Sequence, residues 1–165
     1  MPEVRKATLA DIPLIRQLTF AIWPQTYSEL LSKEQIDYML ELIYSESSLH
    51  KQIAIEGCTF IIIYDDNIPV AFASYSETKP QVWKLHKIYV LASQQGKGTG
   101  KFIINYIVDE IKKQNAKALQ LQVKRDNPAQ HFYTKLGFTI IETADFDIGN
   151  GYFMKDYIME KQLLE

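Results

Sequence analysis

The spacing of apolar residues changes from helical to strand-like at Cys58. Before this residue, apolar side chains recur every three or four positions, as expected of helices that bury one face. A first helix is predicted to end at Trp23-Pro24, because a residue that precedes proline avoids the α region. A second helix is predicted to begin after Ser32, a typical N-cap residue, and a third, short helix is predicted over residues 49–55.

Beyond Cys58, short apolar runs alternate with turn residues, which is typical of strands. Residues 59–64 and 70–75 flank the turn Asp65-Asp66-Asn67 and predict an antiparallel hairpin. Further strands are predicted at 83–91, 118–123, 138–141 and 157–159, with helices at 101–112 and 127–137. Together with a short first strand at 4–6, the order is β-α-α-α-β-β-β-α-β-α-β-β. It predicts a mixed α/β sheet in which residues 83–123 supply one parallel pair with a right-handed crossover.

Composition limits the possible functions. A chain of 165 residues with 47% apolar content predicts a single domain spanning residues 1–165. The net charge of −2, without a basic run, gives no reason to expect nucleic-acid binding. Cys58 is the one cysteine and the three histidines lie far apart, so no metal site is expected. With no apolar run of ~18 residues and no apolar N-terminal segment, we expect a cytoplasmic protein without a membrane partner.

A glycine-rich turn follows the central predicted strand and leads into a helix. Unpaired backbone N–H groups at a helix N-terminus attract anions, and phosphates in particular. The turn does not match a Walker A loop, because Phe102 follows Gly100-Lys101 where Ser or Thr is required. It does not match a dinucleotide-binding fingerprint either, because Lys101 or Ile103 stands where the third glycine is required.

A second motif lies one helix and one strand further along, in NPAQHFYTKLGF from Asn127 to Phe138. Since parallel strands end at the same edge of a sheet, both motifs are expected at that edge, where ligands bind. With the two motifs in this order, the chain resembles the GNAT acetyltransferase superfamily. The phosphate loop of that family, Gln/Arg-x-x-Gly-x-Gly/Ala, is matched by Gln95, Gly98 and Gly100. Its later motif, Asn-x-Ala-x-x-Phe-Tyr-x-Lys-x-Gly-Phe, is matched throughout 127–138.

This resemblance implies a fold and an activity. The fold would be a mixed, mostly antiparallel sheet with one splayed parallel pair, flanked by helices. The activity would be acetyl-CoA-dependent N-acetyl transfer to a primary amine of a small molecule, by direct attack in a ternary complex and without a metal. Small bacterial N-acetyltransferases, including polyamine-type members, are the most similar in pattern. Because dimers are common in this superfamily, a homodimer is also expected.

The resemblance also assigns cofactor-binding residues. Backbone groups near Tyr89 and Val90 would hold the pantetheine and the thioester carbonyl. Asn127 would contact the pantetheine arm, or would only cap its helix. The pyrophosphate would lie on the glycine-rich turn, at Gln95, Gly96, Lys97, Gly98, Thr99, Gly100 and Lys101. The two lysines of this turn either add positive charge there or are ordinary solvated side chains.

Two residues are predicted to be catalytic. Tyr133 is the predicted general acid, because a phenol with a pKa of ~10 suits a thiolate leaving group of similar basicity; the alternative is a core aromatic beside Phe132. Relatives often carry a glutamate general base where this chain has Lys84. His86, two residues on and so on the same face of the strand, has an unperturbed pKa of ~6.5 and is the predicted base. The alternatives are Glu77, a water chain to solvent, and a His86 that is an ordinary strand residue without a catalytic role.

Acceptor recognition is expected from two predicted loops, since loops carry specificity on a rigid scaffold. One contains Trp23 and Tyr27, which are equally suited to the core. The other runs from Asp145 to Tyr152, and its carboxylates could attract a cationic amine, although Lys84 argues against such a substrate. The rival function is a non-catalytic acyl-CoA-binding sensor or partner module, which the missing strand glutamate favours.

Overall fold

The structure is a computed structural model that describes residues 2–163. It contains the twelve predicted elements in the predicted order, with a short 3₁₀ helix before the first helix and another after the fourth strand. The strands are β1 Pro2–Lys6, β2 Thr59–Asp65, β3 Ile68–Lys79, β4 Val82–Val90, β5 Ala118–Lys124, β6 Thr139–Gly149 and β7 Tyr152–Gln162. The helices are α1 Ile12–Tyr27, α2 Lys33–Tyr44, α3 Glu46–Ala54, α4 Thr99–Lys112 and α5 Ala129–Lys135.

The strands form one sheet in the order β1-β2-β3-β4-β5-β7-β6. The β4–β5 pair is parallel, whereas β1–β2, β2–β3, β5–β7 and β6–β7 are antiparallel. This arrangement confirms the predicted mixed, mostly antiparallel sheet with one parallel pair. The parallel ladder runs from Val82↔Ala118 to Leu85↔Leu121 and stops there, although β4 itself continues to Val90.

The chain divides into two compact units, each with its own core. The first contains the residues up to Ser76 and Lys87–Ile103, and the second contains Glu77–His86 and the chain from Ile104 onward. In the first unit, helices α1 and α3 and strands β2 and β3 contribute fully buried side chains, among them Ile15, Leu49, Ile61, Ile63 and Phe72. Those of the second come from α4, β5, β7 and the residue before β6, namely Ile107, Ile111, Leu119, Phe138 and Met159. The single domain over residues 1–165 stays a prediction.

Serine side chains begin the second and third helices. The hydroxyl of Ser32 accepts a hydrogen bond of 3.1 Å from the backbone N–H of Gln35, which satisfies one of the donors at the start of α2. The hydroxyl of Ser45 accepts in the same way from Ser48 at 3.2 Å. The third helix therefore begins at Glu46, three residues before its predicted start.

The prediction that the first helix ends at Trp23-Pro24 is wrong. Helix α1 continues through Pro24 to Tyr27, and the N–H of Ser28 still donates to the Pro24 carbonyl at 3.1 Å. Proline removes one helical N–H donor but lies in the last turn of this helix, so little of the helix depends on the missing bond. Trp23 is 3% exposed, so its indole is part of the core.

The prediction of a loop from Asp145 to Tyr152 is also wrong. Strands β6 and β7 form a long hairpin in which Asp145 pairs with Lys155 and Asp147 with Phe153. The hairpin turns at Gly149-Asn150-Gly151; all three residues have positive φ, which glycine and asparagine tolerate. Cross-strand pairing over eleven-residue strands therefore replaces the loop. None of the helices described is long and apolar enough to span a membrane.

Candidate active site

The glycine-rich turn opens on the N-terminus of α4. The first hydrogen bond of this helix runs from the N–H of Phe102 to the carbonyl of Gly98 at 3.0 Å. The N–H groups of Thr99, Gly100 and Lys101 precede that bond and so have no partner within the helix. Gly98 has a φ of +76°, and a Cβ atom built on it would meet no atom within 4 Å. The turn therefore has open space at Gly98 beside the first N–H donors of α4, at the positive end of a helix dipole, which favours an anion.

Contacts within the turn fix its shape. Gln94 is buried, and its side-chain oxygen accepts a hydrogen bond of 3.3 Å from the hydroxyl of Thr99. The N–H groups of Gln95 and Lys97 donate to the carbonyls three residues earlier, those of Ala92 and Gln94, at 3.1 and 3.2 Å. Gln95 and Lys97 could therefore contribute to a ligand chiefly through their exposed side chains.

An aromatic cluster in the first unit contains both predicted acceptor-binding residues. The ring centroids of Trp23 and Tyr27 are 4.6 Å apart, and the ring of Tyr89 lies 5.9 Å from that of Trp23. The hydroxyl groups of Tyr27 and Tyr89 are 3.1 Å apart and form a hydrogen bond. Tyr44 and Phe72 extend the cluster into the core. The structure thus brings Trp23 and Tyr27 together with Tyr89, on helix α1 and strand β4.

Helix α5 and the residues before it carry two predicted site residues. Tyr133 is 8% exposed, and its ring lies 5.3 Å from Phe132 and 5.8 Å from Phe138. The side-chain oxygen of Asn127 accepts a hydrogen bond of 2.9 Å from the N–H of Ala129. Asn127 therefore caps the start of the helix, and its side-chain NH₂ is the group left to contact a ligand.

Strand β4 carries Lys84 and His86 on one face. The Lys84 amine donates a hydrogen bond of 2.7 Å to the side-chain oxygen of Gln122 on β5. His86 is half-buried and lies just beyond the last residue pair of the parallel ladder. The alternative base, Glu77, is exposed, and its carboxylate accepts a hydrogen bond of 3.0 Å from the N–H of Gln81 in the β3–β4 turn.

Sequence reasoning missed a buried carboxylate on β7. Asp156 is 3% exposed and lies opposite Lys124 of β5. Burial raises the pKa of Asp156 above its ordinary value, while the charges of Lys124, Lys84 and Arg125 oppose that rise. The available sequence signal was an aspartate within the last strand of the chain, because aspartate is depleted in strands and seldom buried. Among residues 2–163, no group of three or more His, Cys, Asp or Glu side chains could hold a metal ion.

The family model for the acetyltransferase (GNAT) family matches residues 14–138, which include the glycine-rich turn and the Asn127–Phe138 motif. The chain belongs to the GNAT family. Membership of this family confirms the predicted N-acetyltransferase activity. The acyl donor of GNAT enzymes is acetyl-CoA. In this GNAT protein, the backbone N–H groups and the open space at the glycine-rich turn fit the phosphate groups of acetyl-CoA.

Relatives of this GNAT protein align with it over nearly its whole length. An uncharacterised N-acetyltransferase of Lactobacillus delbrueckii subsp. lactis is 25% identical over 98% of this chain and 96% of its own. The spermidine N(1)-acetyltransferase of Thermoplasma acidophilum is 24% identical over 97% of this chain and 96% of its own. Among solved structures, the PaiA N-acetyltransferase of the same organism in complex with coenzyme A has a TM-score of 0.81. Its identity is 23%, and the match covers 98% of this chain and 99% of that one.

Proposed function

We propose that this GNAT acetyltransferase transfers the acetyl group of acetyl-CoA to a primary amine of a small molecule by direct attack in a ternary complex. The observation that carries the proposal is the glycine-rich turn. It offers the first three N–H groups of α4 beside Gly98, where open space lets a ligand approach the backbone. A pyrophosphate carries the negative charge that such a helix N-terminus favours.

The remaining contacts to acetyl-CoA follow the family motif. The exposed amines of Lys97 and Lys101 add positive charge beside the pyrophosphate. Backbone groups of Tyr89 and Val90, at the end of β4, hold the pantetheine and the thioester carbonyl. Asn127 donates from its side-chain NH₂ to the pantetheine arm.

The reaction needs one proton acceptor and one proton donor. A neutral amine attacks the thioester carbon, a C–N bond forms and the C–S bond breaks. Tyr133 donates a proton to the leaving thiolate, a role that suits a phenol held in place by Phe132 and Phe138. His86 is the predicted base that leaves the amine neutral, with Glu77 and solvent water as alternatives.

Polyamines are candidate acceptors, because a relative that covers nearly the whole chain is a spermidine N(1)-acetyltransferase. The aromatic cluster of Trp23, Tyr27 and Tyr89 would contact the acceptor, since aromatic faces attract ammonium groups. The aspartates of the β6–β7 hairpin are less suited to that role. Asp145 pairs with Arg125, and the carboxylate of Asp147 accepts a hydrogen bond of 2.9 Å from the N–H of Gly149.

A thiol-release assay tests the proposal. The protein is incubated with acetyl-CoA and a panel of amines that includes spermidine, spermine, amino acids and short peptides, and free CoA is measured. We expect release above the hydrolysis background with at least one small primary amine. CoA binding by calorimetry without release on any amine would instead favour the acyl-CoA-binding module. Chromatography with light scattering would test the homodimer, which stays a prediction.

A further inference from the structure

The last residues of strand β4 carry two side chains that are bonded to helices of the first unit. Lys87 and Tyr89 are two residues apart, so they lie on the same face of the strand. The Lys87 amine donates a hydrogen bond of 2.6 Å to the side-chain oxygen of Gln52 on helix α3. The Tyr89 hydroxyl is bonded to that of Tyr27, the last residue of α1. Both contacts therefore join the end of β4 to a helix.

The side chain of Gln52 is fixed by its own hydrogen bonds. Gln52 is buried, and its side-chain NH₂ donates to the carbonyl of Ile43 at 2.9 Å and to the hydroxyl of Ser48 at 3.0 Å. Both hydrogens of the amide are thus used, and the oxygen is left to accept from Lys87. The bond to Lys87 therefore has a partner that is already held in place by the helical part of the first unit.

Aromatic rings also surround the Lys87 amine. It lies 5.4 Å from the ring centroid of Tyr44 and 5.5 Å from that of Phe60, and ring faces attract a cation at such distances. Both rings are buried, and Lys87 is half-buried. An apolar side chain could pack on the same two rings without removing an ammonium group from water. Packing alone does not call for a lysine here, so its directed hydrogen bond points to a further role.

A hydrogen bond sets a distance and a direction, whereas apolar surfaces can slide past one another. Tyr89 and Val90 follow Lys87 by two and three residues, and their backbone groups are the proposed contacts of the pantetheine and the thioester carbonyl. At ~3.3 Å per residue, both lie within ~10 Å of Lys87 along the strand. All three residues belong to the first unit. A shift of β4 at Lys87 would therefore move the proposed thioester contacts, and a misplacement of ~1 Å can lower a rate ~10²-fold.

We propose that Lys87 and Gln52 are positioning residues for acetyl transfer, and that their hydrogen bond sets where Tyr89 and Val90 hold the thioester carbonyl. This inference rests on the function proposed above. Both residues act through the backbone of β4 rather than by contact with the thioester. With the pyrophosphate at the glycine-rich turn, the affinity for CoA does not depend on this bond, whereas the rate of acetyl transfer does.

The first test replaces the lysine. Lys87→Met keeps an unbranched side chain beside the two rings and removes the hydrogen bond. We expect kcat, measured as thiol release with an amine that the unmodified protein acetylates, to fall ~10–10²-fold. The Kd of CoA by calorimetry should change by less than about twofold, and the binding stoichiometry corrects kcat for any unfolded fraction.

Arg16→Met is the matched control for this variant. Arg16 is a half-buried cation of the same unit, and its guanidinium donates a hydrogen bond of 3.0 Å to the carbonyl of Tyr44. Because this bond joins two helices and does not involve β4, kcat should stay within about twofold of that of the unmodified protein.

Two substitutions at Gln52 separate the bond to Lys87 from the other contacts of the glutamine. Gln52→Glu keeps an oxygen for the lysine and loses the NH₂ that donates to Ile43 and Ser48, whereas Gln52→Met loses both. We expect kcat of Gln52→Glu to stay within about threefold, and kcat of Gln52→Met to fall as far as in Lys87→Met. Since both Met variants remove one shared bond, the double variant should fall no further than either single variant. If Lys87→Met does not fold, the two Gln52 variants decide the question alone.

The outcomes separate the positioning role from the acetyl transfer itself. Full kcat in Lys87→Met and Gln52→Met, or losses that multiply in the double variant, would overturn the positioning role and leave the acetyl transfer intact. A loss of CoA affinity as large as the loss of kcat would also overturn it, because the bond would then support the whole site. If the unmodified protein releases no thiol with any amine, the proposed function fails and the positioning role fails with it.

Discussion

The hydroxyl groups of Tyr27 and Tyr89 lie 3.1 Å apart, joining the last residue of helix α1 to strand β4. The bond lies at the edge of the aromatic cluster, where both side chains are half-buried. It links two residues that are 62 positions apart in the chain. The helix that continues through Pro24 is therefore tied to the central strand at its last residue.

We expect the Tyr27–Tyr89 bond to stabilise the fold measurably. In a double-mutant cycle of Tyr27→Phe and Tyr89→Phe, the coupling energy should be about 0.5–1.5 kcal/mol, as for a hydrogen bond between neutral groups. Urea denaturation of the four proteins measures it. Tyr106→Phe provides a control cycle with Tyr89→Phe, because Tyr106 bonds to Glu110 on its own helix. A coupling near zero in the Tyr27–Tyr89 cycle would mean that the two hydroxyls are solvated independently.

Replacing Tyr133 by phenylalanine should remove a proton donor without removing the packing. Since the ring contacts with Phe132 and Phe138 stay, stability and CoA affinity should change little. Turnover should fall ~10²–10⁴-fold, the usual contribution of a general acid. Steady-state kinetics and calorimetry measure the two quantities, with Tyr106→Phe as the control tyrosine. Turnover that is unchanged in Tyr133→Phe would exclude its phenol from the mechanism.

Local signals accounted for most of the fold. The N-cap Ser32, the period change at Cys58 and the turn at Asp65-Asp66-Asn67 contributed to the element order, and the strand–helix–strand unit over residues 83–123 predicted the parallel pair. Sequence spacing also located the glycine-rich turn and Asn127, because both belong to continuous motifs. The course of α1 beyond Pro24 could not be predicted in this way, since it depends on Trp23 packing against residues distant in sequence.

Long-range partners explain the contacts that the sequence did not predict. Lys84 and Asp156 are 72 positions apart, and only the register of β4, β5 and β7 puts them on one face. Similarly, the Lys87 amine donates to the buried Gln52 at 2.6 Å and lies over the rings of Tyr44 and Phe60. A lysine near the centre of a strand gives no sequence signal that it is held by such contacts.

A bulky residue at Gly98 should weaken CoA binding. Gly98→Leu places a side chain in the open space beside the first N–H groups of α4, where the pyrophosphate would lie. We expect an increase in Kd of at least about tenfold by calorimetry, which corresponds to ~1.4 kcal/mol. Gly57→Leu is the matched control, because Gly57 has a similar φ of +72° and is also surrounded by open space. Both variants carry comparable backbone strain, so equal CoA affinities would argue against the turn as the phosphate site.

The buried carboxylate of Asp156 should make the stability of the protein depend on pH. Burial raises its pKa, so the folded protein binds the proton more tightly than the unfolded chain does. The free energy of unfolding therefore falls as the pH rises from the unfolded pKa of ~3.9 through the raised folded pKa. Asp156→Asn removes this pH-dependent fall in the free energy of unfolding. The variant should therefore be more stable than the unmodified protein, by a larger margin at pH 7 than at pH 4.

Urea denaturation at several pH values between 4 and 7 measures this difference. In Lys84→Met, the free energy of unfolding should fall more steeply with rising pH than in the unmodified protein. Loss of the nearby charge raises the pKa of Asp156 further. A pH-independent loss of stability in Asp156→Asn would mean that the carboxylate accepts a structural hydrogen bond. A gain in stability at pH 7 that shrinks toward pH 4 would confirm that burial of the charged carboxylate destabilises the fold.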